Sequence, residues 1–279
     1  MRLKGRARLL PSRNPYQLGR SLALPYTMSS NELAARYREL GYLIVDSLFS
    51  LDEVASLRQR TEAIASGEVD FPTELIEYEP GREGERTLST VRKLNRCADA
   101  DDVFFRHASE DRVLNIVESL IGPDIKLFGS QCFMKPPGGI EKPYHQDSAY
   151  FSIEPFDLVT CWTALDDVTE ENGCVWVVPG SHTGGVIDHS QPWQLPGRTD
   201  MQIPDEQIAV ELETPLVMEA GSCSFHHSLI MHKSMPNRTD KSRRGFAVHY
   251  MSAQSKWTDA SHPPRRFPLL RGREYEGCV

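Results

Sequence analysis

Pro143-Tyr144-His145-Gln146-Asp147-Ser148-Ala149-Tyr150-Phe151 is a short aromatic run that holds a histidine and an aspartate two positions apart. On an extended strand residues i and i+2 face the same side, so the His145 imidazole and the Asp147 carboxylate can converge on one point. A neutral ring nitrogen and a carboxylate oxygen are two of the three donors of a 2-His-1-carboxylate set, which suits Fe(II) and leaves other metal positions open. The third donor has to come from elsewhere in the chain. His-x-Asp alone also fits an ordinary surface strand, so the reading depends on what lies downstream.

Residues 221–244 carry His226, His227 and His232 ahead of a polar turn, and then Arg243-Arg244. His232 follows the apolar run Leu229-Ile230-Met231, which predicts a strand that His232 closes. Strand alternation leaves all three histidines open as the missing ligand, because His227 and His232 would face opposite sides of a regular strand. Ser234 and Arg243 bear on the choice. A five-carbon keto-diacid that chelates a metal through its keto-acid end leaves a second carboxylate several ångströms away, which needs a guanidinium fork and a hydroxyl. Ser234 and Arg243 meet that need if His232 is the ligand.

Together, His145-x-Asp147, His232-x-Ser234-x-x-Asn237-x-Thr239 and Arg243 resemble the phytanoyl-CoA dioxygenase family of Fe(II)/2-oxoglutarate oxygenases. In that family the arginine follows the distal histidine by eleven positions, as Arg243 follows His232 (243 − 232 = 11), which selects Arg243 over Arg244. Lys135-Pro-Pro-Gly138, the segment from Trp162 to Cys174, and Val178-Pro-Gly-Ser-His182 resemble further family segments, and the resemblance runs from about Glu32 to about Tyr250. It implies a mainly β fold with flanking helices (α+β) around a double-stranded β-helix, that is, a jelly-roll, cupin-like core. It implies His145, Asp147 and His232 as the Fe(II) ligands and catalytic centre. Arg243, Ser234, Trp162, Lys93 and Gln131 are then the residues around 2-oxoglutarate, with O2 as oxidant and ascorbate as a supporting reductant. The reaction implied is hydroxylation of an unactivated C–H bond of a small molecule, with 2-oxoglutarate converted to succinate and CO2. Chlorinating relatives have a small residue where Asp147 stands, so Asp147 points to hydroxylation. Trp162 follows His145 by 17 positions (162 − 145 = 17), one fewer than in relatives, which implies a shortened turn near Ile153 to Asp157. Two other readings are a jelly-roll metalloprotein using Zn(II) or Mn(II) for hydrolysis or isomerisation, and a catalytically silent binding protein. Hydrolysis has no use for Arg243 and Ser234, and the intact donor set disfavours the silent reading.

With 279 residues and no linker-like stretch, residues 28–279 are expected to form one domain, with a helical N-terminal part over 28–122 and a jelly-roll core over about 87–252. A net charge of −8 argues against nucleic acid as the main partner. No apolar run approaches a membrane span, so a soluble chain is expected. Six cysteines without a Cys-x-x-Cys pair read as reduced thiols, which favours the cytoplasm. Residues 1–27 carry Arg2, Lys4, Arg6, Arg8, Arg13 and Arg20 with no acidic residue. They read as a transit peptide, a flexible arm, or sequence upstream of a start at Met28, so an organellar address stays open. The tail Gly277-Cys278-Val279 is not a peroxisomal address.

Local patterning supplies the elements. Ser30 is expected to cap a helix over 31–40 that Gly41 ends, followed by a strand at Tyr42 to Asp46. Ser50-x-x-Glu53 has capping-box form ahead of a helix over 51–65. Residues 67–84 are acidic and carry Pro72 and Pro80, which predicts a loop, either ordinary surface or a lid over the substrate. A strand is expected from Thr87 to Asn95 and one helix over about 101–120, stopped by Gly122-Pro123. Strands dominate from Ile125. Lys135 reads as a substrate contact or as a residue orienting the turn after it. Tyr150 and Phe151 read as pocket wall or core. Glu171-Asn172-Gly173 predicts a hairpin leading into a strand at Trp176 to Pro179. His189, Trp193 and Gln194, in a loop over 184–204, are candidate substrate contacts. A return strand is expected over 245–251, and the tail over 261–279 should wrap the outside.

Overall fold

Two capping boxes set the first long helices. The Ser29 hydroxyl accepts from the Glu32 N–H at 3.4 Å while the Glu32 carboxylate accepts from the Ser29 N–H at 2.9 Å, so α1 spans Ser30–Leu40 with its cap one residue ahead of the expected one. Ser50 and Glu53 repeat the arrangement for α2, Leu51–Ala65. Gly41, at φ +79°, closes α1 in the left-handed conformation that glycine takes without strain. The single helix expected over about 101–120 is two, α4 (Asp102–Ala108) and α5 (Asp111–Ile121), and a short α3 (Cys97–Ala100) precedes them. Asp101 restarts the helix by accepting from the Val103 N–H at 2.9 Å, and the Ser109 hydroxyl donates to the Phe105 carbonyl at 2.9 Å where α4 stops.

The computed structural model describes residues 28–156, 158–192, 201–258 and 266–279. The basic segment 1–27, Trp193, Gln194 and the Pro263-Pro264-Arg265 part of the tail lie outside the described residues. Among the described residues sixteen strands follow in chain order: β1 (Tyr42–Val45), β2 (Ile76–Tyr78), β3 (Val91–Asn95), β4 (Ile125–Phe133), β5 (Lys142–His145), β6 (Ile153–Glu154), β7 (Val159–Ala164), β8 (Val175–Val177), β9 (Gln191–Pro192), β10 (Met201–Gln202), β11 (Thr214–Leu216), β12 (Cys223–His227), β13 (His232–Ser234), β14 (Gly245–Ser252), β15 (Lys256–Trp257) and β16 (Leu269–Arg271). The large sheet has the order β1-β12-β7-β14-β4-β3-β2, with β16 also on β4, and the small sheet has the order β11-β8-β13-β5. This is a mainly β jelly roll with flanking helices.

β7 and β14 are buried along their whole length because both faces of the large sheet are covered. Outside, the helices pack on it: Phe104 meets Phe246 at 4.9 Å, and the Tyr250 hydroxyl donates to the Ala108 carbonyl at 2.8 Å. Inside, Trp162, Ala164 and Ala247 of the large sheet join Val177 of the small one and Ile230 in a second apolar cluster.

Several expectations need correction. Residues 67–84 are not wholly loop, because they contain β2, which pairs with β3 through Ile76↔Leu94 and Glu77↔Lys93. Lys93 therefore lies on an inner strand. β3 starts at Val91, and a turn precedes it in which the Thr90 hydroxyl accepts from the Thr87 N–H at 3.1 Å. The strand expected at Tyr42 to Asp46 forms as β1, and although it lies in the N-terminal part expected to be helical it is an edge of the large sheet. Glu171-Asn172-Gly173 turns the chain but makes no hairpin, since β7 and β8 belong to different sheets. There Asn172 Oδ1 accepts from the Thr169 N–H at 2.9 Å, and Gly173 adopts φ +84°. All six cysteines are free thiols, five of them buried. Among the described residues no helix is long and apolar enough to cross a membrane.

Candidate active site

β5 ends at His145, and Asp147 begins a short 3-10 turn, Asp147–Ala149. Asp147 is thus outside the strand expected to carry it. Gln146 remains extended at φ −113°, ψ 136°, so alternation continues one residue past the strand and brings both side chains to one side. His232 opens β13 instead of closing a strand over 229–231, where the chain turns back from β12. The register sets His232 directly opposite His145, with ring centroids 4.1 Å apart. One donor atom each from His145, Asp147 and His232 lies within 4.8 Å of the others, and all three side chains are buried. Asp147 Oδ1 is 3.8 Å from His145 Nε2 and 3.7 Å from His232 Nε2.

Both imidazoles are turned by their far nitrogens. His145 Nδ1 donates to the Pro143 carbonyl at 2.9 Å and His232 Nδ1 to the Ile230 carbonyl at 3.1 Å. A carbonyl only accepts, so each Nδ1 carries the proton and each Nε2 presents a lone pair to the other and to Asp147. Two lone pairs and a carboxylate converging in a buried site fit a divalent cation. Burial, and then the neighbouring His232, push the His145 pKa well below the usual histidine range, which favours the ligating form. Burial acts to raise the Asp147 pKa, but His232, His249, His226 and His145 around it outweigh that, and the carboxyl is held below its ordinary value.

The other two histidines separate by face. His226 points inward, its Nε2 3.8 Å from Asp147 Oδ2, and burial pushes its pKa down to about 3. His227 points outward, accepting from the Leu229 N–H at 3.0 Å beside the rings of Tyr37 and His182.

Arg243 and Arg244 also part. Arg244 binds Asp166 at 2.7 Å and also Glu62. Arg243 is 2% exposed, and its Nη2 donates to the Gly173 carbonyl at 2.7 Å. Its guanidinium lies 5.3 Å from the Trp162 ring, and its Nε is buried with no partner among the described residues. Burial brings its pKa down to about 10, so the cation persists at neutral pH. A buried guanidinium with an unused donor fits a carboxylate ligand.

Lys135 is spent within this group. Its Nζ donates to Ser234 Oγ at 3.0 Å and to the Met235 carbonyl. Ser234 accepts from it there, so its own proton is free to point elsewhere. Burial, with Arg243 and Arg92 nearby, pushes the Lys135 pKa down to about 6. Asn237 ties the segment together, donating to the Lys135 carbonyl at 2.9 Å and the Lys241 carbonyl at 2.7 Å while its Oδ1 accepts from the Thr239 N–H at 3.0 Å.

These groups share a cavity of about 290 Å³ that Trp162, Gln131, Lys93, Ser234 and Arg243 all line. Lys93 meets Glu77 at 2.9 Å, so an acidic residue from the expected loop reaches the cavity. Tyr150 is 42% exposed and lines the cavity with Phe151, so both belong to its wall. His189 is not among the residues lining this cavity, and its Nε2 accepts from the Gln146 N–H at 2.8 Å, which orients the residue between His145 and Asp147. Sequence reasoning missed Thr160 and His249, which both line the cavity. The available signal was even spacing, Thr160 two before Trp162 and His249 two after Ala247.

Gly245 gives a direct test of the Trp162 position. A Cβ there would lie 1.8 Å from Trp162 Cζ2. Gly245→Ala is expected to cost about 1–3 kcal/mol of stability by overpacking. It should also move the indole off Arg243; thermal unfolding and 2-oxoglutarate affinity read the two effects.

The family model described as phytanoyl-CoA dioxygenase matches residues 37–245. Human peroxisomal phytanoyl-CoA dioxygenase is 30% identical over 256 residues, spanning 84% of this chain and 73% of that protein. A probable alpha-ketoglutarate-dependent hypophosphite dioxygenase of Stutzerimonas stutzeri is 25% identical over 226 residues, spanning 80% of this chain and 79% of that one. Among solved structures, the epimerase SnoN in complex with Fe3+, alpha ketoglutarate and nogalamycin RO superposes with a TM-score of 0.68 at 26% identity, over 87% of this chain and 98% of that one. With the match extending over most of its length and a jelly roll to carry it, the chain belongs to the phytanoyl-CoA dioxygenase family of Fe(II)- and 2-oxoglutarate-dependent oxygenases.

Proposed function

We propose that this protein hydroxylates an unactivated C–H bond of a small molecule, with His145, Asp147 and His232 as the Fe(II) ligands. Arg243 and Ser234 hold the distal carboxylate of 2-oxoglutarate, and Trp162, Lys93 and Gln131 line its site. The observation that carries this reading is the buried cluster of three donor atoms within 4.8 Å, in the same cavity as a guanidinium whose Nε has no partner.

Bound Fe(II) with 2-oxoglutarate and O2 supplies an oxidant able to take hydrogen from carbon, and 2-oxoglutarate leaves as succinate and CO2. The protein contributes orientation and exclusion of water. His145 and His232 present fixed Nε2 lone pairs, and Asp147 supplies the anionic oxygen. Arg243 provides a fork held on one side by the Gly173 carbonyl and faced by Trp162, so the co-substrate meets a preformed site. Ser234, accepting from Lys135, turns its proton toward the same carboxylate. With Asp147 in the third protein position, halide has no such place, which favours hydroxylation.

Anaerobic addition of Fe(II) and 2-oxoglutarate to the metal-free protein is expected to produce a weak visible charge-transfer band. A protein that stays colourless while binding zinc tightly would instead support the hydrolase reading. The similarity to an epimerase makes product mass the second measurement: a substrate gaining one oxygen supports hydroxylation, and an unchanged mass with inverted configuration supports epimerisation.

A further inference from the structure

Thr160 is on β7, in the middle of the large sheet, where it sits opposite His226 of β12 and His249 of β14. Its hydroxyl lies 2.9 Å from Asp147 Oδ2 and 2.8 Å from His249 Nδ1, and Thr160, His249 and Asp147 are all buried. The other oxygen, Oδ1, is the one near His145 Nε2 and His232 Nε2. The two oxygens of Asp147 are therefore divided, one toward the candidate metal position and one toward the sheet.

The proton positions in this chain follow from the partners. An ionised carboxylate only accepts, so the Thr160 proton points at Oδ2. The Thr160 oxygen must then accept from His249, which places the His249 proton on Nδ1 and leaves its Nε2 as a lone pair with no partner among the described residues. With χ1 stiffened by β-branching and neighbours on both sides, Thr160 has little freedom to follow Asp147 elsewhere.

We propose that Thr160, backed by His249, is a positioning residue that commits Asp147 to one-oxygen ligation and so preserves the open positions of the metal. This deepens the metal-site reading above and rests on it. A hydroxyl that merely satisfies a buried carboxylate would affect folding and leave metal affinity unchanged in the folded protein.

The test uses the full chain, freed of metal and titrated with Co(II), reading affinity and the intensity of the ligand-field absorption. Thr160→Val keeps the shape and removes the hydroxyl; it is expected to weaken Co(II) binding by about 10–100-fold, the usual cost of losing an outer partner of a ligand, and to change the absorption. Thr160→Ser keeps the donor and is expected to bind within about threefold of wild type. Thr163→Val is the control: Thr163 is equally buried on the same strand, but its hydroxyl meets His107 at 2.9 Å on the opposite face. It should lower the unfolding temperature and leave Co(II) affinity in place. His249→Phe, which frees the Thr160 hydroxyl to turn away, should weaken binding by about threefold or more, and the Thr160→Val/His249→Phe double variant should lose no more than Thr160→Val alone. If Thr160→Val does not fold, His249→Phe carries the test. Wild-type affinity and spectrum in folded Thr160→Val, or in His249→Phe, overturn the proposal, as does an equal loss in Thr163→Val. Failure of the wild-type chain to bind Co(II) overturns the metal-site reading itself and this proposal with it.

Discussion

Replacing Arg243 by alanine is expected to raise the 2-oxoglutarate concentration needed for half-maximal turnover by roughly 30- to several-thousand-fold. That range corresponds to about 2–5 kcal/mol, the usual result of leaving one member of a buried charge pair alone. Arg243 is 2% exposed, and its donors go to the Gly173 carbonyl and into a site with no carboxylate ion-paired to it among the described residues. In the variant the distal carboxylate of 2-oxoglutarate would be desolvated without its partner. Arg243→Lys should fall between wild type and alanine, because an ammonium keeps the charge and loses the fork. Arg244→Ala is the contrast: it breaks the ion pairs to Asp166 and Glu62, and so should lower the unfolding temperature while leaving the 2-oxoglutarate dependence in place. The reverse result, dependence on Arg244 and indifference to Arg243, would remove the co-substrate assignment.

His232→Ala is expected to lower Fe(II) affinity by roughly a thousandfold or more, and succinate formation with it, since a direct ligand should count for more than the outer partners whose loss costs about 10–100-fold. The comparison that matters is His226→Ala. His226 is inside the cavity as well, but its Nε2 faces Asp147 Oδ2, the oxygen that Thr160 holds, and it is outside the cluster of three donors. Its removal should change metal affinity by less than about tenfold. His227→Ala should leave metal binding unchanged, because that ring lies outside against Tyr37 and His182. Isothermal titration with Fe(II) under anaerobic conditions ranks the three, and a larger loss in His226→Ala than in His232→Ala would reassign the third ligand.

Much of the frame was legible locally. The capping box at Ser50, the stop at Gly41 and the limits of α2 are decided by side chains within a few residues of one another, where short-range hydrogen bonds outweigh other influences, whereas the first cap is Ser29 and not the expected Ser30. The break between α4 and α5 was missed because apolar residues recur on both sides of it, while the Ser109 hydroxyl closes α4 locally on the Phe105 carbonyl. The turn at Asn172-Gly173 was found but assigned to a hairpin. Turn chemistry fixes that the chain reverses, and only the pairing of β8 with β11 and β13 decides which sheet receives it.

At the site, the sequence by itself determined the candidate donors and the spacing between His232 and Arg243. It left His226, His227 and His232 level on strand alternation, and it carried no sign of what Thr160, His249, Lys135 or His189 would touch. Tertiary structure decided those points through registers between strands far apart in the chain: β13 against β5 sets His232 over His145, and β7 between β12 and β14 sets Thr160 between His226 and His249. The physical reason is range. Backbone periodicity specifies which face a side chain takes within its own strand, whereas its partner across the sheet depends on which distant segments the shared core draws together.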